Sequence, residues 1–162
     1  LPFAADPSQQ LARMSGEEAL QLIEGARYLL TNEYEKSLLE SKTGRSEEQI
    51  RQLVDVQVTT LGKDGVEIAG RGLDPIRVPA LPEVRAEDPT GVGDGFRAGF
   101  FAGISWGLGL ERAAQVGCLL AAQVLETVGT QEYVVDPGSF LKRFAEVYGD
   151  VAAAEVRPHL VG

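Results

Sequence analysis

Short apolar runs of strand length alternate along the chain with longer stretches in which apolar residues recur at helical spacing. The short runs are rich in Leu, Val, Ile and Thr, which favour a buried, extended backbone. They lie at Leu1–Ala5, Tyr28–Thr31, Val54–Leu61, Val66–Ala69 and Ile76–Leu81. Strands that alternate with helices predict an α/β protein with a mainly parallel sheet. Ligands of such sheets bind beyond the carboxyl ends of the strands.

Helix starts are marked by side chains that can accept from the first unpaired N–H groups of a helix. Three of these starts are capping boxes, and a fourth is an N-cap residue followed by proline. They are Ser15 with Glu18, Asn32 with Glu35, Ser46 with Gln49, and Asp136 with Pro137. Phe96, Phe100 and Phe101 predict another helix, which ends near Gly107. Leu110–Val128 predicts a long helix that is apolar enough to be buried on several sides.

A glycine-rich turn, Asp88-Pro89-Thr90-Gly91-Val92-Gly93-Asp94, precedes the phenylalanine-rich helix. Pro89 restricts the backbone before it, and the two glycines allow close approach and positive φ. A glycine turn that leads into a helix places unpaired N–H groups at the positive end of the helix dipole. The pattern therefore predicts an anion site, and phosphate is the usual guest.

Asp94 is unusual in such a turn, since a carboxylate repels a bound phosphate. One function that would justify it is that of a base, which takes a proton from an alcohol while the neighbouring amides hold the phosphoryl group. The alternative is that Asp94 caps or charges the first helical turn. Local spacing leaves both open. A Rossmann fingerprint and a Walker loop are both unsupported, because neither glycine pattern is complete.

Two further turns follow predicted strands. Thr60-Leu61-Gly62-Lys63-Asp64-Gly65 offers a hydroxyl and an unobstructed backbone to a nucleotide, or is an ordinary hairpin turn. Asn32 and Glu35 either form a capping pair or donate to a phosphate and hold a water on Mg²⁺, and both could hold at once. Together with the glycine turn, these sites lie at predicted strand ends, so we expect them to converge on one crevice.

Composition narrows the function classes. The 162 residues fit one domain, 44% of them are hydrophobic, and the net charge is −9 without any basic stripe. Nucleic acid is therefore an unexpected partner. No apolar run has the length of a membrane span, and no secretory pattern opens the sequence.

Cysteine and histidine each occur once. Cys118 lies among apolar residues and is predicted to be core, and His159 is expected to be exposed in a polar tail. One Cys cannot form an intrachain disulfide, which fits a cytoplasmic protein. A zinc site made of Cys and His is excluded. A serine–histidine relay would have to use His159 and is not expected. Any metal would need oxygen ligands, which indicates Mg²⁺ held largely by phosphates.

Asp88 to Asp94, Asn32-x-x-Glu35 and Thr60-x-Gly62-x-x-Gly65 together resemble the motifs of the ribokinase-like (PfkB) carbohydrate and nucleoside kinases. Within that family, several tracts are most similar to adenosine kinases of the actinobacterial type. They are residues 5–11, 58–62, 88–96, 97–100, 109–112 and 129–132. The resemblance implies a three-layer ribokinase-like α/β fold with a mainly parallel sheet flanked by helices. It implies that residues 1–162 are the C-terminal, nucleotide-binding and catalytic portion of one kinase domain.

The resemblance also implies roles for individual residues in ATP-dependent phosphorylation of the 5′-hydroxyl of a nucleoside, adenosine. The base would be Asp94, and the N–H groups of Gly91, Val92 and Gly93 would hold the transferring phosphoryl group. Nucleotide binding would fall to Asn32, Thr60, Gly62 and Gly65, and substrate binding to Gln9 and Gln10. Mg²⁺ would be bound through water by Glu35. A monovalent cation (K⁺) would be bound by Asp88, Thr90 and the loop at Gly129.

The sequence departs from the family in two respects. Gly95 stands where these kinases more often have Ala or Thr, which loosens the helix start slightly. The N-terminal half of the family domain, with its small β lid, is absent, so we expect this chain alone to lack kinase activity. The absent lid is also where the resemblance implies a homodimer. The sequence starts without Met, as a fragment or a processed product would.

Two alternatives stay open. The first is a sugar kinase of the same family, of ribokinase or fructokinase type; only the tract Ser8-Gln9-Gln10 argues locally for a nucleoside. The second is a non-catalytic nucleotide-binding or oligomerising module. Asp94 counts against that module, because a binding protein has no use for a buried carboxylate facing phosphate.

Overall fold

The computed structural model describes residues 1–161, which divide into two compact units. The first unit comprises Leu1–Arg77, and the second begins at Val78. The first contains the sheet with three helices, and the second is helical.

The sheet has five strands, which lie side by side in chain order. They are β1 (Ala4–Ala5), β2 (Tyr28–Asn32), β3 (Val56–Thr60), β4 (Val66–Gly70) and β5 (Leu73–Val78). The pairs β1–β2 and β2–β3 are parallel, and β3–β4 is an antiparallel hairpin. The predicted α/β class with a mainly parallel sheet is therefore confirmed, and so is the predicted hairpin.

The helices of the first unit begin where their capping residues predict. They are α1 (Gly16–Ile23), α2 (Glu33–Thr43) and α3 (Glu47–Arg51), with short 3₁₀ turns at Ser8–Ala12 and Gly62–Asp64. All three capping boxes form in both directions. A core of aliphatic and small side chains joins these helices to β1 and β2. Its buried members are Ala5, Leu11, Ala19, Ile23, Ala26, Leu29, Leu39, Ile50 and Val54.

The second unit contains α4 (Val92–Ser105), α5 (Leu110–Leu125), α6 (Pro137–Tyr148) and α7 (Asp150–Leu160). Asp136 caps α6 as predicted, since its carboxylate accepts from the Ser139 N–H at 2.7 Å. Phe96, Phe100, Phe140 and Phe144 are buried in this unit. Every helix of the described chain falls short of the length or the apolar character that a membrane span needs.

The helices α4 and α5 pack with their backbones almost in contact. A Cβ on Gly99 would lie 2.8 Å from Gly117 Cα, and one on Gly103 would lie 2.7 Å from Ala113 Cα. A Cβ on Gly95 would meet Val124 Cγ2 at 2.8 Å. Gly95, which we interpreted as a slight loosening of the helix start, therefore accommodates a side chain of α5. The glycines fix the separation of the two helices.

The predictions for the single cysteine and for the long helix agree with the structure. Cys118 is 8% exposed in α5, and burial raises the pKa of its thiol to about 12. It is therefore a core residue rather than a nucleophile.

Two sequence predictions are wrong in detail. The strand expected at Ile76–Leu81 lies at Leu73–Val78, because the chain turns back directly after β4 through Gly72, whose φ is +70°. The expected polar tail around His159 is a helix, α7, which buries Ala152, Ala153 and Val156. His159 is exposed as predicted, and its ring stacks on Trp106 with centroids 5.2 Å apart.

We predict that Gly99→Ala destabilises the protein by about 1–3 kcal/mol, because the new methyl group would press on backbone atoms of α5 that cannot rotate away. Gly138→Ala is the matched control. A Cβ on Gly138 in α6 would meet Asp136 Oδ2 at an ordinary 3.5 Å, so this change should be neutral or stabilising by about 0.4–1 kcal/mol. Urea unfolding followed by circular dichroism measures both. Equal stability of Gly99→Ala and the wild type would contradict the packing described here.

Candidate active site

The start of α4 has the backbone geometry of an anion site. Gly91 is the N-cap residue and has a left-handed φ of +81°, a conformation that disfavours any other residue. Among the described residues, no N-cap side chain satisfies the first N–H groups. The helix begins at Val92, and the Gly95 N–H donates to the Gly91 carbonyl at 2.8 Å. The Val92 N–H donates to the Pro89 carbonyl at a long 3.4 Å. The N-cap residue offers no side chain to the other amides of the first turn of this 14-residue helix, which leaves them open to a ligand or to water.

Asp94 lies in the first turn of α4, three residues after the N-cap. Its side chain is 89% exposed, and its Oδ1 lies 4.0 Å from Nη1 of Arg97. The carboxylate is thus accessible, and the expectation of a buried carboxylate is wrong for this chain. The position charges the first helical turn, which is the structural alternative, and is also open to an acceptor. Whether Asp94 acts as a base stays a prediction.

The Asp88 carboxylate shapes the turn that precedes α4. Its Oδ1 accepts from the Thr90 N–H at 2.9 Å, and its Oδ2 accepts from the Gly129 N–H at 3.2 Å. Hydrogen bonds from Thr90 and from the Gly129 N–H lower the pKa of Asp88 below its usual value. The structure therefore brings together Asp88, Thr90 and Gly129, the residues predicted for a monovalent cation. Both carboxylate oxygens accept from backbone N–H groups. These two hydrogen bonds give Asp88 a structural role, which is to join the turn at Thr90 to the loop at Gly129.

The loop at Gly129 also packs against the glycine turn. A Cβ on Gly91 would lie 3.2 Å from Thr130 Cγ2. Gly91 therefore combines a positive φ with a tight contact, and both disfavour a side chain.

The strand ends of the first unit carry the other predicted residues. Asn32 and Thr60 pair in register at the carboxyl ends of β2 and β3, so they lie side by side. Gly62, with φ of +57°, follows in the 3₁₀ turn, and a Cβ there would meet nothing within 4 Å. The Leu61 N–H donates to the Gly65 carbonyl at 2.8 Å, which closes the hairpin. The backbone at Gly62 is accordingly unobstructed, as the nucleotide interpretation requires.

Asn32 and Glu35 form a reciprocal pair. Asn32 Oδ1 accepts from the Glu35 N–H at 2.8 Å, and Glu35 Oε2 accepts from the Asn32 N–H at 2.9 Å. Glu35 is 7% exposed. The capping interpretation is confirmed, while the phosphate and Mg²⁺ interpretation stays a prediction.

Gln9 and Gln10 are exposed on the 3₁₀ turn after β1. Their predicted contact with a substrate has no counterpart in the described contacts and stays a prediction. Residues 1–161 contain no group of three or more His, Cys, Asp and Glu side chains that could hold a metal ion.

Sequence reasoning missed Arg97, which lies one helical turn after Asp94. A Cβ on Gly93 would lie 2.7 Å from Arg97 Nη1, so the guanidinium covers the second glycine of the turn. The available signal was the spacing of three residues between Asp94 and Arg97, which places a negatively and a positively charged side chain on neighbouring turns of one helix.

The fold and the turn before α4 define an α/β protein with a glycine-rich anion site at a helix start. Residues 2–136 match the family described as pfkB family carbohydrate kinase. The chain belongs to this family, and the ribokinase-like resemblance of its motifs is thereby confirmed.

Several proteins that are similar to this chain are nucleoside kinases. A nucleoside kinase of Methanothermobacter thermautotrophicus is 32% identical over 89% of this chain and 46% of its own length. The structure of Burkholderia thailandensis nucleoside kinase in complex with inosine has a TM-score of 0.86 and 34% identity, and the match covers 91% of this chain and 49% of that one. The Methanocaldococcus jannaschii nucleoside kinase structure has a TM-score of 0.83 and 28% identity over 90% and 48%. The chain spans about half the length of the relatives it matches.

We predict that Asp88→Asn lowers the free energy of unfolding near neutral pH, because an amide N–H₂ would face one of the two backbone donors. The folded pKa of Asp88 is lowered. The stabilisation is therefore full above the unfolded value of about 3.9 and is lost as the pH falls through the folded value. Urea unfolding from about pH 7 to about pH 3 should show the difference from wild type shrinking only at the acid end. Asp74→Asn, at an exposed position in β5, is the control. A difference that is independent of pH would refute the role of the carboxylate.

Proposed function

We propose that the natural gene product that carries this chain is an ATP-dependent nucleoside kinase. Family membership supports a phosphotransferase that acts on a hydroxyl group. The similar proteins described as nucleoside kinases support a nucleoside acceptor. One of them, from Burkholderia thailandensis, is described in complex with inosine and with ADP–inosine. The observation that carries the proposal is the α4 start, where uncapped amides and an accessible Asp94 lie within one helical turn.

In this proposal, Asp94 accepts the proton of the primary 5′-hydroxyl of the nucleoside. The acceptor oxygen forms a bond to the γ-phosphorus as the bond to the β–γ bridging oxygen breaks, and ADP leaves. The N–H groups of Gly91, Val92 and Gly93 stabilise the charge on the transferring phosphoryl oxygens. Positioning and charge stabilisation dominate such reactions. A helix start supplies both, since its amides are fixed and its dipole is equivalent to roughly half a positive charge.

The nucleotide would lie along the strand ends of the first unit. Thr60 offers a hydroxyl, Gly62 an open backbone, Gly65 the closed turn, and Asn32 the side chain next to Thr60. An Mg²⁺ ion bound to the nucleotide would neutralise phosphate charge. Glu35 fits a role in holding one of its waters, because its buried carboxylate is fixed beside Asn32 by the Asn32 N–H at 2.9 Å.

A K⁺ ion would bind at Asp88, Thr90 and the Gly129 loop. Its ligands would be the remaining lone pairs of the carboxylate, the Thr90 hydroxyl and loop carbonyls.

Adenosine is our first candidate for the acceptor, with Gln9 and Gln10 near its adenine. The setting would be purine salvage in the cytoplasm. A homodimer formed through the lid of the complete domain belongs to the same proposal.

We predict that Asp94→Asn lowers turnover of the gene product at least about 10²-fold, which is the lower range for loss of a general base. ATP binding should be retained, because the amides stay in place. Asp150→Asn is the matched control, since Asp150 also charges a first helical turn, that of α7, and should keep full turnover. Steady-state kinetics and calorimetric ATP titration give both quantities. Unchanged turnover in Asp94→Asn would leave Asp94 as a residue that only charges the helix.

The acceptor is tested by measuring ADP formation by the gene product with adenosine, inosine, ribose and fructose 6-phosphate. The proposal requires that kcat/KM with at least one nucleoside exceeds that with both sugars. Preference for a sugar would move the protein to the carbohydrate kinases of the family. ATP binding without turnover on any acceptor would favour the non-catalytic module.

A further inference from the structure

Arg97 places a positive charge on the glycine turn of the proposed active site. Its side chain is only 20% exposed, although it starts from a surface of α4 that also carries the 89% exposed Asp94. Nη1 lies 4.0 Å from Asp94 Oδ1 and occupies the space beside Gly93, where a Cβ would be 2.7 Å away. The guanidinium is thus packed over the backbone of the turn and is not extended into solvent.

The absence of a side chain at Gly93 leaves the space that the Arg97 guanidinium occupies. Gly93 lies within α4, where the backbone conformation suits any L-residue. The conflict that a side chain would meet there is with Nη1 of Arg97. The missing side chain at Gly93 therefore leaves room for a cation from the same helix.

The positive charge of Arg97 reduces the repulsion between two anions of the proposed site. A carboxylate and a terminal phosphate must approach one hydroxyl from nearby positions, and two anions repel each other. Arg97 lies beside the carboxylate and beside the amides that would hold the phosphate. An arginine keeps its charge at every relevant pH and offers several donors in a fixed plane.

We propose that Arg97 is the positioning residue of the catalytic base: its guanidinium, packed over Gly93, holds the Asp94 carboxylate and offsets the charge of the phosphate bound at the same turn. This inference rests on the proposed function. An exposed aspartate samples several rotamers, and a misplacement of about 1 Å can cost about 10²-fold in rate. A fixed cation beside the carboxylate limits that loss.

The test is a set of variants of the gene product, assayed with its best nucleoside acceptor and ATP. Arg97→Met should lower kcat about 10- to 100-fold while KM for the nucleoside changes little. Arg97→Lys should recover part of the loss, since it restores the charge but not the planar donors. Gly93→Ala keeps the N–H and the helical backbone, and should lower kcat by displacing Nη1. In the Arg97→Met background, Gly93→Ala should have little further effect, because the group it displaces is gone.

Arg112→Met is the matched control. Arg112 in α5 is 18% exposed and donates to Glu155 Oε2 at 3.0 Å, so its loss should lower thermal stability and leave kcat of the folded protein unchanged. A structural role for Arg97 would make Arg97→Met behave like Arg112→Met and would make the two effects at 93 and 97 additive. Either result overturns the inference.

Failure of the inference differs from failure of the proposed function. A gene product that phosphorylates nucleosides, loses turnover in Asp94→Asn and keeps it in Arg97→Met refutes only the role of Arg97. A wild-type protein without turnover on any nucleoside overturns both. Circular dichroism of each variant establishes folding, and Gly93→Ala in the presence of intact Arg97 gives an independent reading if Arg97→Met does not fold.

Discussion

The second unit depends on how closely the backbones of α4 and α5 approach each other. Gly95, Gly99 and Gly103 recur every four residues along α4, so they face α5 together on one side of the helix. Each would collide with α5 if it carried a Cβ. Dispersion forces act over very short distances, and the close approach of the two backbones brings many atom pairs within that range. The position of the α4 start, and with it the candidate anion site, follows from this contact.

The turn before α4 is fixed from the other side by Asp88 and the loop at Gly129. One carboxylate accepts from two N–H groups that are 39 residues apart in sequence, at Thr90 and Gly129. The same loop presses Thr130 against Gly91. The amides of the turn are therefore held by side-chain hydrogen bonds and by packing before any ligand arrives. Such preorganisation is what makes a helix start effective toward developing charge, since little must move during a reaction.

Most helix starts could be predicted from interactions between residues close in sequence. The capping pairs at Ser15, Asn32, Ser46 and Asp136 each marked a helix start that the structure contains, because a cap is an interaction within four residues. The strand β5 lies three residues earlier than predicted, because Gly72 turns the chain back directly after β4. The helix α7 was missed because its buried face consists of small residues, Ala152 and Ala153, and Val156. Pro158 and several charged residues among them made the segment resemble a polar tail.

The candidate site was predictable only where its pattern is local. The glycine turn and Asp94 were predicted from consecutive residues, and their roles stay predictions. Arg97 was missed, because its proposed role depends on where its side chain lies and not on its identity alone. The exposure of Asp94 was also missed, since accessibility depends on which parts of a domain are present around a residue.

The stacked pair of Trp106 and His159 has a practical consequence. The sequence contains one tryptophan and one histidine, and their rings lie 5.2 Å apart and within 4° of parallel. Indole emission from this chain therefore originates at a single contact between the end of α4 and the last turn of α7. Fluorescence can thus follow the undocking of one terminal helix without any introduced label.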